Sequence, residues 1–338
     1  MPCVKRMHQE SENSGKPEYI FGHMFGAIGV LVGNAEKLFC LPLYASVQDG
    51  DSTIRKWDNK KYKVVSHVVR MIKDAFSVVS VMGSSILLLD AYFFTTSALR
   101  EWIRQTTEQK NKAHVTIVTR AKISVVAYTK PSAHKGRGRP RKKGAAVKVK
   151  ELFDSERENF KEMKTVLYGK EESIRYLSKD LLWGKGLYQP LRFVLIEYGA
   201  RWAIFICTNL DFSAEQILRL YGYRFKIEVT FRTLKQLLGG FGYHFWSTAM
   251  PKLNRFSKKG EPNPLERIRK PEVRMKIREA FSAIERYVMM CLIATGMLQI
   301  LALKFSSELR ENSFSWLRTI SKHDYRLASA TFTPTSWS

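Results

Sequence analysis

The segment YGYRFKIEVTFRTLK, residues 221–235, combines a helical apolar pattern with four side chains suited to polar chemistry. Intervals of three, four and seven residues separate Tyr221, Arg224, Glu228 and Lys235. At about 100° per residue, a helix places these four side chains within an arc of roughly 60°. The neighbouring arc holds the apolar residues Ile227, Phe231, Leu234 and Leu238. The pattern therefore predicts a helix whose charged ridge borders its buried face.

Sequence signals mark both ends of this predicted helix. Ser213 opens the stretch S-A-E-Q, a capping-box pattern in which the serine and the glutamine bond free backbone groups. Gly239 and Gly240 are typical of the position just after a helix. We therefore expect one long helix from Ser213 to the glycine pair.

The residues before 129 alternate between strand-like and helix-like segments. Apolar stretches separated by Gly and Asn predict two or three short strands within residues 17–48. Over residues 57–80 the apolar residues recur at helical spacing, which predicts a helix. SSILLLDAYFF, residues 84–94, contains a continuous apolar run, typical of a strand covered on both faces. A helix and a further strand, HVTIVTRAK at 114–122, come next, and this order predicts an α/β fold.

Composition changes along the rest of the chain suggest its domain organisation. A basic Gly/Pro-rich loop is followed by a β-rich part with a hairpin turning at residues 198–200. We expect a first part of the core at 1–128, the basic loop and β-rich insertion at 129–210, the charged helix at 211–247, and a basic loop with a helical region at 248–338.

The helical region contains one long apolar stretch, residues 287–303, with seventeen residues and no charge. Because it continues an amphipathic segment without a break, it favours a core helix. A short membrane span is the alternative.

The charge balance favours a polyanionic partner. Among 338 residues, 56 Lys and Arg stand against 31 Asp and Glu, a formal charge of +25. Nucleic acid is the first expectation, ahead of an anionic membrane surface. The cysteines lack zinc-site spacing and are expected to be small buried or idle thiols: Cys3, Cys40, Cys207 and Cys291. His23 and His244 are expected to be packed and hydrogen bonded.

Asp90 and Glu228 are the candidate catalytic residues. An acid at the carboxyl end of a buried strand faces the crevice where ligands of α/β sheets collect. Magnesium needs only one or two protein carboxylates when substrate phosphates and waters complete its shell. A cap or turn role is the alternative for Asp90, and a helical ion pair with Arg224 is the alternative for Glu228.

The spacing Tyr-x2-Arg-x3-Glu-x6-Lys resembles the signature of the bacterial insertion-sequence DDE transposases. The resemblance extends to LLLDAYFF with HVTIVTRAK, to EYIFGHMFGAIGVL, and to GRGRPRKKG with VKVKELF. It implies an RNase-H-like fold interrupted by a β-rich insertion before the glutamate helix. It also implies metal-dependent cleavage at transposon ends and strand transfer into target DNA.

Residue by residue, the resemblance assigns Asp90 and Glu228 as the second and third metal-binding acids. Tyr221, Arg224 and Lys235 would hold phosphates of the transposon end. The cofactor would be Mg²⁺ or Mn²⁺, and the partners would be transposon-end and target DNA. A homodimer in a synaptic complex, a bacterial cytoplasmic, nucleoid-associated location and no membrane are also expected.

The resemblance also requires a first acid on an opening strand, which the sequence does not show. We therefore expect an α/β chain that lacks this strand, an N-terminally truncated copy. Three hypotheses follow: a transposase enzyme, a DNA-binding remnant without catalysis, and a membrane-associated protein anchored by residues 287–303.

Two further features bear on DNA contacts. Arg137 and Arg139, in RGRP, would insert into an A·T-rich minor groove, contact phosphates without groove preference, or belong to a solvated linker. Some relatives implied by the resemblance stack a flipped base on a tryptophan of the insertion. Trp202 or Trp183 would serve here, with a core position as the alternative.

Overall fold

The computed structural model describes most of the chain: residues 2–8, 15, 18–34, 37–108, 114–132, 139–167, 170–251 and 263–305. The described residues form two compact units. One contains the residues up to His67 together with those from Lys226 onward, and the other contains Val68–Phe225.

Twelve strands are present among the described residues. They are β1 Lys5–His8, β2 Tyr19–Gly22, β3 Phe25–Gly33, β4 Leu38–Val47, β5 Ser85–Leu88, β6 Val115–Ala121, β7 Val126–Tyr128, β8 Ala146–Lys148, β9 Lys161–Leu167, β10 Lys170–Trp183, β11 Gln189–Tyr198 and β12 Arg201–Cys207.

Seven α-helices accompany these strands in the described part of the chain. They are α1 Ser52–Asp58, α2 His67–Met82, α3 Thr96–Glu108, α4 Leu152–Ser155, α5 Ala214–Tyr223, α6 Lys226–Gln236 and α7 Pro271–Lys304. Strands and helices occur together throughout, which confirms the predicted mixed α/β class. The helix predicted over 57–80 is instead two helices, α1 and α2, with residues 59–66 between them.

The unit with the described residues up to 67 and from 226 is built on two antiparallel hairpins, β1–β2 and β3–β4. These strands confirm the pattern predicted within residues 17–48. Helix α7 packs along β4 and buries one apolar stripe: Ile277, Phe281, Ile284, Val288 and Leu292. Helix α6 also packs on β4, so this unit holds the second half of the charged segment on a sheet.

Helix α7 bears on the membrane alternative. It is the one helix of the described residues that is long and apolar enough to cross a membrane. Of its most apolar stretch of 18 residues, 33% is buried. Met290, Ile293 and Met297 are exposed on it. A single helix of this kind is a weak indication of a span, because core helices of soluble proteins have the same length and composition.

The second unit is built on an eight-stranded mixed sheet. Its order is β5-β6-β12-β11-β10-β7-β8, and β9 pairs with β10. Strands β5 and β6 run parallel, whereas the other pairs are antiparallel. The tightest part of its core lies on β11 and β12, where Phe193, Leu195 and Ile204 are fully buried. Gly199, at φ 54°, forms the predicted hairpin turn between them.

Strand β5 differs from its prediction. The apolar run was expected to be covered on both faces, but Ile86 is 39% exposed and the other three residues are only half-buried. The physical reason is its place in the sheet, because β5 is the first strand in the order and β6 is its one neighbour among the described strands. An edge strand keeps one side without a partner.

Candidate active site

Asp90 lies just beyond the end of β5 and accepts three hydrogen bonds there. Its side chain caps a short 3-10 turn, Ala91–Phe93, by accepting the Tyr92 N–H at Oδ1 over 3.1 Å. Its carbonyl oxygen accepts the Phe93 N–H at 2.9 Å and the Thr119 hydroxyl at 3.1 Å. The capping role considered for Asp90 is therefore present, and it fixes the carboxylate relative to the sheet.

The second oxygen of Asp90 faces an arginine that is distant in sequence. Arg224 Nη1 lies 3.1 Å from Asp90 Oδ2. The Arg224 side chain is 19% exposed and the Asp90 side chain is 48% exposed, so the pair lies at the edge of solvent. The structure thus joins two of the predicted site residues in one unit.

Tyr221 completes this group. Its ring lies 4.8 Å from that of Phe205, and the Arg224 guanidinium lies 5.9 Å from the Tyr221 ring centroid. Burial raises the pKa of Tyr221, with Asp90 adding to the rise while Arg224 and Arg120 oppose it. Arg120 is the residue paired with Phe205 across β6 and β12. The phenol therefore stays neutral and remains a hydrogen-bond donor at physiological pH.

Glu228 and Lys235 belong to the other unit, on α6. Both are exposed, and seven residues place them on the same face of that helix. Glu228 lies in the first turn and Lys235 in the last, the arrangement that the helix dipole favours. The Thr230 hydroxyl, buried on the same helix, donates to the Cys40 carbonyl oxygen at 2.7 Å and fixes α6 to β4.

The long helix predicted from Ser213 is divided. The capping box is confirmed, since Ser213 and Gln216 bond each other's backbone N–H groups. However, α5 ends at Tyr223 and α6 begins at Lys226, with Arg224 and Phe225 in a turn between them. The expectation of one continuous helix was therefore wrong, and neither residue of the turn is a Pro or Gly that would have predicted the break.

A family model described as Transposase DDE domain matches residues 55–242, which is more than half of the 338-residue chain. The chain belongs to this family of DDE transposases. The matched region includes Asp90 and the whole of residues 221–235. Comparison with curated proteins and with solved structures gave no match.

DDE transposases generally use divalent metal ions and act on DNA. In the described part of this transposase, no group of three or more His, Cys, Asp or Glu side chains is placed to hold a metal. Asp90 by itself fits as one ligand, because its carboxylate is half exposed and already faces a cation, Arg224. Magnesium accepts such a site when phosphate oxygens and waters supply the remaining ligands.

The basic loop of the transposase is described in part. Arg137 lies outside the described residues, and Arg139 is exposed. The C-terminal end of the loop is held by Lys143, whose Nζ lies 3.9 Å from the Tyr128 ring centroid and 5.3 Å from that of Tyr188. This contact fixes a cation beside the loop, and no sequence pattern predicts it.

The two tryptophans have different surroundings. Trp183 stacks on Phe94 with ring centroids 3.9 Å apart and belongs to the core of its unit. Trp202 is 42% exposed and stacks on Phe153, with ring centroids 5.2 Å apart, and Lys150 Nζ lies 5.9 Å from its ring centroid. Of the two, Trp202 is the more exposed to solvent.

The histidines and cysteines have mainly structural positions. His23 Nδ1 lies 2.7 Å from the Tyr243 hydroxyl and Nε2 lies 2.6 Å from the Pro2 carbonyl oxygen, as predicted for a packed histidine. The same expectation for His244 was wrong, since His244 is exposed. All four cysteines are free, and burial raises the pKa of Cys207 to about 11.

Proposed function

We propose that this chain carries the DNA-cleaving and strand-transfer chemistry of a DDE transposase, with Mg²⁺ or Mn²⁺ as cofactor. The observation that carries the proposal is the contact of Asp90 with Arg224 at the carboxyl end of β5. Asp90 and Glu228 would hold the divalent ion. Tyr221, Arg224 and Lys235 would hold phosphates of the transposon end.

The chemistry of these side chains supports the assignment. A guanidinium offers a planar fork that matches two phosphate oxygens. The neutral Tyr221 phenol can donate a hydrogen bond to a third oxygen. A bound divalent ion supplies stabilisation of the charge that develops on the phosphodiester. The net charge of +25 attracts DNA to the protein as a whole.

The proposal extends to the wider architecture. The mixed sheet with β5 and β6 parallel supports an RNase-H-like core interrupted by a β-rich insertion. The partners would be transposon-end and target DNA, with two copies of the chain in a synaptic complex. The proposed location is the bacterial cytoplasm, at the nucleoid.

A plasmid-nicking assay tests the enzyme. We expect the purified chain to convert supercoiled plasmid to the nicked form in Mg²⁺ and not in EDTA. Asp90→Asn and Glu228→Gln should abolish nicking, while Glu215→Gln, a neutralised exposed acid on α5, should retain it. Nicking that persists in Asp90→Asn would contradict the assignment.

A second candidate function is DNA binding without cleavage. It is favoured by the absence of a three-acid group among the described residues. In that case the chain binds duplex DNA with a steep salt dependence, shows no Mg²⁺-dependent nicking, and Glu228→Gln leaves the affinity unchanged or slightly raised.

A further inference from the structure

The carboxylate of Asp90 is occupied at both oxygens. Oδ1 accepts the Tyr92 N–H and Oδ2 faces Arg224 Nη1, each over 3.1 Å. The guanidinium thus lies beside the oxygen that a divalent ion would use. The two residues proposed for metal and for phosphate neutralise each other.

This pairing opposes each ligand when it binds alone. A divalent ion at Asp90 meets the positive charge of Arg224, and like charges at such short distance repel. A phosphate at Arg224 meets the negative charge of Asp90 in the same way. When both ligands are present, the phosphate pairs with the Arg224 guanidinium and the ion binds the Asp90 carboxylate. Neither ligand is then repelled by an unpaired like charge.

We propose that the Asp90–Arg224 pair couples DNA binding to metal binding. Each ligand releases the group that the other ligand needs, so each raises the affinity for the other. Coupling of this kind is reciprocal by thermodynamic necessity. The inference rests on the proposed function, and it adds a role for Arg224 toward the carboxylate proposed to bind metal.

The surroundings of the pair permit this exchange. Asp90 is half exposed, and partly solvated ion pairs of this type are weak enough to be replaced. The backbone on both sides is independently fixed, since Asp90 is held through Phe93 and Thr119, and the Arg224 N–H donates to the Tyr221 carbonyl oxygen at 3.0 Å. The side chains can therefore change partners without moving the elements that carry them.

The test is a double-mutant cycle on DNA affinity in the absence of metal. Fluorescence anisotropy of a labelled duplex would compare the full-length wild type, Asp90→Asn, Arg224→Gln and the double variant. We expect Asp90→Asn to bind DNA on the order of fivefold more tightly than the wild type. The same change in the Arg224→Gln background should have a much smaller effect.

Matched controls separate this result from a general change of charge. Glu215→Gln removes an exposed acid from α5, and Arg219→Gln removes an exposed cation from the same helix. Neither change should reproduce the coupling. Asparagine also keeps an oxygen that accepts the Tyr92 N–H, so the turn after β5 is preserved.

The reciprocal measurement uses Mn²⁺ binding, followed by the electron paramagnetic resonance signal of the free ion. In the wild type, a duplex should tighten the binding of Mn²⁺ by the same factor by which Mn²⁺ tightens the binding of the duplex. Mn²⁺ bound by DNA in the presence of the Asp90→Asn variant is measured separately and subtracted. In Arg224→Gln, Mn²⁺ should bind more tightly without DNA, and the duplex should add little.

The outcomes distinguish the inference from the function on which it rests. If the wild type binds DNA but Asp90→Asn gives equal gains with and without Arg224, the coupling is refuted and the transposase assignment stands. If the wild type binds neither DNA nor Mn²⁺, the coupling and the transposase assignment are both refuted.

Discussion

Thr119→Val should weaken the structure that holds Asp90 without disturbing the sheet. Thr119 is 2% exposed on β6, and its hydroxyl donates to the Asp90 carbonyl oxygen at 3.1 Å. Valine has nearly the same shape and suits a strand, so the change removes one hydrogen bond and little else.

The magnitude follows from what the Asp90 carbonyl retains. Its oxygen still accepts the Phe93 N–H at 2.9 Å, so no buried acceptor is left without a donor. The loss should therefore be close to the net value of one hydrogen bond, about 0.5–1.5 kcal/mol, and below the penalty for an unsatisfied group. A loss near 1 kcal/mol lowers the unfolding midpoint by roughly 2–4 °C in a domain of this size.

The free energy of unfolding is measured by urea denaturation, with tryptophan fluorescence as the signal. Thr119→Ser is the matched control, because it keeps the hydroxyl and loses only a methyl group. If Thr119→Val is as stable as the wild type, or if the serine variant is destabilised as much as the valine variant, the hydrogen bond to Asp90 is not what Thr119 contributes.

Three other measurements follow from the structure. Burial lowers the pKa of His23 below 6.5, so the unfolded chain binds its proton more readily. Stability should therefore fall as pH drops below about 6.5, and His23→Gln should flatten this dependence in pH-resolved denaturation. Thr230→Val removes the buried donor to the Cys40 carbonyl oxygen and should cost about 1–3 kcal/mol in urea; wild-type stability would show that α6 does not need this bond. Trp202→Ala should cost about 1 kcal/mol through loss of stacking on Phe153, and Trp202→Phe should restore part of that loss.

The order of strands and helices was readable from the sequence because each signal is local. The capping box at Ser213, the turn at Gly199 and the acid after the β5 run all depend on neighbouring residues. The same locality explains the failure at Arg224 and Phe225. Only two residues separate α5 from α6, so the helical period of the apolar residues continues almost unchanged across the turn.

The contacts that define the candidate site depend on residues far apart in sequence. Spacing alone suggested Glu228 as the partner of Arg224, because residues four apart are neighbours on a helix. The pairing with Asp90 required the position of α5 relative to the sheet, which no local pattern contains. For the same reason, the sequence did not show that Trp202 is accessible while Trp183 is packed on Phe94. The exposure of Ile86 likewise depends on which strands lie beside β5.

The two roles considered for Asp90 were treated as alternatives, yet a carboxylate has two oxygens and the structure gives each a separate partner. Oδ1 accepts the Tyr92 N–H, which sets the orientation of the whole group, and this leaves Oδ2 directed at Arg224. A cap that restricts rotation makes the remaining oxygen a better ligand, because less conformational freedom is lost when a cation binds. The cap would therefore support the ligand role proposed for Asp90. A residue with only one polar atom, such as serine, would provide the cap and lose the site.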